Sequence, residues 1–324
     1  MGESDDRRVS YRLVENPDEV SVLAAQVSEN TGLPRTHIEK DFWITEVLRG
    51  VVALANTLGA TVVFKGGTSL SKAYKIIERF SEDVDVRVIL PEGTKGKRNR
   101  ILKDLVQGAA EATAIEAEIV SGATTEGEKR GARFHYRTTG GQGAGLKEGV
   151  LLEIGTRGGA MPTTIHQIKS LIAEHASNRI SDAVELLPFE VLVQDLSRTL
   201  VEKLVLLHTA HCADDQAVAA KTARHYYDIH QLLRRSEVLA DVAKANIAIL
   251  ARDVYTYSTF ADRPAAHRPP EGFAASPAFN AGPYVDAVRV EYESRVLDQL
   301  LWPKAERPSL DDCIEAIHQN RDQL

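Results

Sequence analysis

Thr61-Val62-Val63-Phe64-Lys65-Gly66-Gly67-Thr68-Ser69, taken up again by Ser81-Glu82-Asp83-Val84-Asp85-Val86-Arg87-Val88, decides how this chain is read. The β-branched run from Thr61 predicts a short strand ending in a lysine and two glycines. Glycines at that place let the backbone turn tightly and approach a ligand with no side chain in the way. A helix over 68–79, with Thr68 as N-cap, follows at once and aims its free N–H groups and positive dipole end above the turn. A triphosphate suits that position. From Ser81 to Leu90, Asp83, Asp85 and Arg87 alternate with Val84, Val86 and Val88, which predicts a strand with one polar and one buried face.

Asp83 and Asp85 then share a face, because residues i and i+2 of a strand do. Two carboxylates that close repel unless a cation sits between them. Magnesium is held by carboxylates together with substrate phosphates, so Mg²⁺, or Mn²⁺ in its place, is the expected cofactor. Glu153, a lone acid in the apolar run Val150-Leu151-Leu152-Glu153-Ile154-Gly155, is the candidate third carboxylate of a two-metal site.

Around this centre the 324 residues are enough for one large or two ordinary domains. Helices are expected over 17–30, 36–58 and 97–116, and strands near 116–121, 131–138 and 149–155. After about 164 the periodicity is helical except for an apolar segment at 184–194, and 257–283 is a Pro-, Ala- and Gly-rich loop, mobile or functional. The division is an α/β domain over 1–160 and a helical domain over 161–324. No apolar run is long enough to cross a bilayer, and Cys212 and Cys313 have no metal-ligand spacing, so a cytoplasmic protein is expected. The net charge of −7 argues against a protein that coats nucleic acid, though not against one basic surface on an enzyme. Lys95, Lys97, Arg98, Arg100 and Lys103 read as a solvated loop entering a helix, with an RNA contact as the alternative.

Lys65 to Tyr74, followed by Arg79-Phe80-Ser81-Glu82-Asp83-Val84-Asp85-Val86, resembles the first motif of the AbiEii-type nucleotidyltransferases. These are the toxins of bacterial type IV toxin–antitoxin and abortive-infection systems, and include the mycobacterial MenT group. Ile38-Glu39-Lys40-Asp41-Phe42-Trp43 is similar to the family's N-terminal helix. The resemblance implies a polymerase-β-like α/β domain, a mixed sheet flanked by helices, with a helical C-terminal domain closing the NTP cleft. It assigns Gly67 and Thr68 to the phosphate-binding turn, beside Lys65, Gly66 and Ser69, and Asp83 and Asp85 to metal. The family's later lysine and aspartate match Lys203 and Asp228. His225 stands where many relatives carry aspartate, and Glu153 where aspartate is common.

Lys203 falls inside the seam Leu196, Leu200, Leu204 and Leu207, where an ammonium is costly unless it snorkels or binds a phosphate. Asp228 follows Arg224 by one turn, so an exposed salt bridge would explain both; the resemblance instead has Asp228 orient Lys203 or the acceptor. Ser81 is either a strand-edge hydroxyl or, by resemblance, a phosphorylation site that would repel NTP. His208, His211, His225 and His230 form no metal signature. The expected protein is a monomeric or weakly associating toxin that moves NMP from an NTP to RNA, tRNA above all, and blocks translation, with a cognate antitoxin as partner. A nucleotidyltransferase acting on a protein or small molecule, and an inactive RNA- or antitoxin-binding module, are the alternatives.

Overall fold

The alternation along residues 83–89 is built as expected. In the computed structural model, which describes residues 11–138, 146–158, 162–175, 183–212, 221–257 and 267–324, the chain begins with α1 (Pro17–Thr31) and α2 (Arg35–Thr57). Next come β1 (Thr61–Lys65), α3 (Gly66–Lys72), β2 (Asp83–Ile89) and α4 (Lys95–Thr113). Strands β3 (Ala117–Ile119), β4 (Lys129–Phe134), β5 (Val150–Gly155) and β6 (Thr163–Ile168), α5 (Leu171–His175) and β7 (Phe189–Gln194) complete one seven-stranded mixed sheet with its helices. Its order is β3-β4-β5-β2-β1-β7-β6, with β2 parallel to β5, β1 parallel to β7, and the other neighbours antiparallel.

Val84, Val86 and Val88 join Phe64, Val62, Leu152 and Ile154 in a core covered by α2 and α4. The polar positions of β2 are thereby left on the other face. A second core lies among α6 (Leu196–Cys212), α7 (Arg224–Leu233), α8 (Ser236–Ala245), α9 (Ile247–Thr256), α10 (Pro283–Glu291) and α11 (Leu310–Gln319). Leu70, Ile76 and Ile77 of the segment after the glycine turn pack into that second core, so the turn joins the two.

Four expectations are corrected. The helix after the glycines runs only to Lys72, and Lys75 takes φ 53, which a helix cannot continue through. Helical character does not begin at 164: β6 and β7 belong to the same sheet. The boundary expected at 160 falls outside the described residues, and the sheet extends past it to Gln194, leaving the helical region to start at Leu196. Lys95 to Lys103 are not a loop entering a helix but the first turns of α4, which begins at Lys95, is capped by Thr94 and buries Ile101 and Leu102 while its basic side chains face outward. Of the loop at 257–283, residues 258–266 lie outside the described residues; beyond them Phe273 and Phe279 are fully buried in the second core.

Candidate active site

In the sheet Lys65 stands opposite Asp85, and Asp85 opposite Glu153, so three ionisable side chains line up across three strands. Asp83 shares their face, two residues along β2. The glycines are required by proximity. Gly66 takes φ +78, and a Cβ there would overlap the Asp85 carboxylate; one on Gly67 would meet Arg79 Nη2 at 2.7 Å and Ser81 Oγ at 2.9 Å. Thr68 is not an N-cap. Its buried Oγ1 donates to the Asp83 carbonyl and shares a 2.9 Å hydrogen bond with Ser81 Oγ. Ser69 Oγ donates to the Gly66 carbonyl at 2.8 Å. Both hydroxyls brace the turn, so what the turn offers a ligand is its backbone.

Helices α6 and α7 form the opposite wall. A cavity of about 110 Å³ lies between, bounded by Gly66, Gly67, Asp83 and Asp85 on one side and Glu202, Lys203, Arg224 and His225 on the other. The Lys203 side chain is only 7% exposed, and its ammonium donates to Asp228 Oδ2 at 2.8 Å and to His225 Nδ1 at 3.2 Å. Snorkelling is thereby excluded, because the ammonium ends on the buried Asp228 carboxylate and not in solvent. Burial pulls the Lys203 ammonium below its ordinary value, against the pull of Asp228. Burial and the neighbouring Lys203 bring His225 down to about 3, so it is neutral and accepts from Lys203.

Asp228 is fully buried and does not pair with Arg224. Arg79 clasps it through Nε and Nη2, both at 2.7 Å. Burial alone would raise its carboxyl, but Arg79 and Lys203 hold it well below the usual carboxylate range. Asp228 therefore orients Lys203 and is out of reach of a substrate. Arg224 turns instead toward Asp83, 3.9 Å from Oδ2, where Lys147 Nζ also lies at 3.5 Å.

Among the described residues no three His, Cys, Asp or Glu side chains gather into a cage that would hold an ion unaided. Asp83 and Asp85 could hold one together with a bound phosphate, which is how magnesium is usually kept. Burial and the Glu153 carboxylate beside it push the Asp85 carboxyl up to about 6, a strain that a divalent cation would relieve. Glu153 itself is partly exposed and pairs with Lys129 at 3.4 Å. The described histidines do not converge.

Sequence reading gave no role to three residues that shape the site. Arg79 lies inside the first motif but has no periodic signal of its own. Glu202, beside Lys203, closes the cavity and reaches Lys65 at 3.7 Å. Lys147 gave no signal.

Residues 48–315 match the family described as nucleotidyl transferase AbiEii toxin, type IV TA system. The chain is similar to the solved structure of MenT4, a nucleotidyltransferase toxin from Mycobacterium tuberculosis, at 16% identity and a TM-score of 0.42, over 93% of this chain and 96% of that one. No curated protein sequence matches it. No helix among the described residues is long and apolar enough to cross a membrane.

Proposed function

We propose, since this chain belongs to the AbiEii family of nucleotidyl transferase toxins, that it transfers a nucleoside monophosphate from an NTP to the 3′ hydroxyl of an RNA, with tRNA as the favoured acceptor, and so blocks translation in the cytoplasm. The observation that carries this reading is the single cavity onto which the glycine turn, Asp83, Asp85 and Lys203 all open. The NTP's β- and γ-phosphates lie against the backbone of Gly66 and Gly67 and the Lys203 ammonium, held there by Asp228. Arg224 and Lys147, now on Asp83, are cations within reach of the same phosphates. Asp83 and Asp85, with Glu153, would hold Mg²⁺ or Mn²⁺, which supplies charge neutralisation at the phosphates. The acceptor oxygen bonds to the α-phosphorus as the bond to the β-phosphate oxygen breaks. Pyrophosphate leaves against the turn and Lys203, and the hydroxyl proton passes to the carboxylate on the attacking side, Glu153.

A cognate antitoxin is the expected partner. Ser81 lines the cavity and bonds Thr68, so a phosphate there would bring negative charge among the carboxylates and repel NTP. Ser81→Glu is expected to abolish transfer, and full activity of that variant would remove the regulatory idea.

The test is incubation of the purified protein with each α-labelled NTP, Mg²⁺ and total bacterial RNA, beside Asp85→Ala. Label in a tRNA-sized band that the variant cannot produce is the expected result. Label in protein or a small molecule, with none in RNA, would overturn the acceptor while leaving the transfer.

A further inference from the structure

We propose that the cleft beyond Asp85, between the polar face of β2 and β5 and helices α6 and α9, seats the terminal nucleoside of the RNA acceptor, with Tyr257 as the ring on which its base stacks. This rests on the function proposed above. The argument starts from the direction of attack. In an in-line displacement the incoming oxygen lies opposite the leaving pyrophosphate. The leaving group belongs to the turn that follows β1, and strand order then runs from β1 through Asp85 of β2 to Glu153 of β5. The attacking side is therefore that of Glu153. A cleft of about 390 Å³ opens there, lined by Asp85, Glu153, Lys129, Leu206, Val254 and Tyr257, within the range of small-molecule sites of about 300–1,000 Å³.

Charge separates this cleft from the flank on the other side of Asp83. Each cation lining it has a partner, Lys65 included, which lies 3.7 Å from Glu202. Lys129 pairs with Glu153 at 3.4 Å, Arg157 with Glu128 at 2.6 Å and Arg198 with Glu202 at 3.3 Å, while Arg87 donates to the Gly158 carbonyl at 2.7 Å. With the four carboxylates Asp85, Glu128, Glu153 and Glu202 set against its five cations, the cleft offers little to a polyphosphate and suits an uncharged sugar and base. The opposite flank sets Lys147, Lys221, Arg224 and Arg295 against only two carboxylates, Glu82 and Glu291, of which Glu291 pairs with Arg295, and this larger positive surplus is where phosphates belong.

The aromatic wall is the third observation. Tyr257 follows directly on α9 and is 45% exposed, although it lines the cleft beside the apolar Val254, Val205 and Leu206. A half-exposed ring beside an apolar wall is the surface on which a single-stranded base stacks without regard to its identity. In this arrangement the terminal ribose lies toward the partly exposed Glu153 carboxylate, and its base lies toward α9.

The experiment uses the full-length protein with Mg²⁺, labelled NTP and a synthetic RNA hairpin with a single-stranded 3′ end, comparing wild type, Tyr257→Phe and Tyr257→Ala. Tyr257→Ala is expected to raise the KM for RNA about 5- to 150-fold, the span for losing one stacked base, with the KM for NTP unchanged. Tyr257→Phe keeps the ring and stays near wild type. As a readout that needs no turnover, the same hairpin carrying 4-thiouridine at its 3′ terminus is expected to photocrosslink to a peptide bordering the cleft. A raised KM for NTP in place of RNA, no change in either, or a crosslink mapping outside the cleft would overturn the assignment. No RNA labelling by the wild type would instead strike the proposed function itself.

Discussion

Two buried ionic clusters hold the cavity from opposite sides, and their charges are balanced differently. On the side of α2, Lys40 is fully buried and donates to Glu82 at 2.7 Å, and Glu82 also accepts the Lys147 amide at 2.6 Å. Next to it Asp41 pairs with Lys72 at the end of α3 and accepts the Leu171 amide at 2.7 Å. Each ammonium there has one carboxylate. On the side of α7 a single carboxylate, Asp228, is shared by Arg79 and Lys203, with a neutral His225 beside them. The first cluster is closed and fixes position: it clamps Glu82, which precedes Asp83, and Lys72, which ends the helix of the turn. The second carries one positive charge more than it neutralises and turns it toward the cavity. A buried surplus of that kind is costly in an empty protein and is useful only to an anionic ligand.

The difference can be broken by substitution. Asp228→Ala leaves two buried cations without their acceptor and is expected to cost about 5 kcal/mol, the upper end for a broken buried pair, read by urea unfolding. Lys40→Met leaves Glu82, which keeps the Lys147 amide, and the Lys147 carbonyl, a neutral acceptor that loses one hydrogen bond only, and should fall near the lower end, about 3 kcal/mol. Equal losses in the two variants would mean that the clusters are not balanced differently. Lys203→Met sharpens the contrast, because Asp228 keeps both bonds to Arg79. Stability should change by about 1 kcal/mol or less, while transfer falls about 10²–10³-fold, as on loss of one preorganised charge-stabilising donor. A variant that transfers normally would show that the surplus charge has another purpose.

The smallest effect concerns pH. Burial and the Glu153 carboxylate push the Asp85 carboxyl up to about 6 in the folded chain from its ordinary 3.8, so the folded state binds that proton more tightly than the unfolded. Its contribution to stability is present at low pH and is lost as pH rises toward and through 6. Mg²⁺ should return it. The gain in Tm on adding Mg²⁺ is therefore expected to be larger at pH 7.5 than at pH 5, by about 2–4 °C per kcal/mol regained. An equal gain at both would place the ion elsewhere.

These contrasts also mark what local sequence could reveal. The turn, the Asp83–Asp85 strand and the buried Lys203 were legible because each leaves a short-range trace: two glycines, a period of two, a charge within a leucine seam. The clasp of Arg79 on Asp228 spans 149 residues, and no local pattern reports it; the nearer Arg224 offered a plausible partner that the fold uses otherwise. Strand β6 was missed for a different reason. It is an edge strand in which Ile165 is exposed and only Ile168 is buried, so it shows no clean alternation. The early end of α3 at Lys72 carries no glycine or proline, because tertiary packing of Ile76 and Ile77 into the second core sets it.

The central claim is that the glycine turn, Asp83, Asp85 and Lys203 form one nucleotide site. The direct measurement is calorimetric titration of a non-hydrolysable NTP analogue into wild-type protein and Asp85→Asn, with and without Mg²⁺ and with no acceptor present. Saturable binding that depends on Mg²⁺ and is weakened at least tenfold in the variant is the expected result. Binding equal in both proteins, or none in folded wild type with Mg²⁺, would contradict the account.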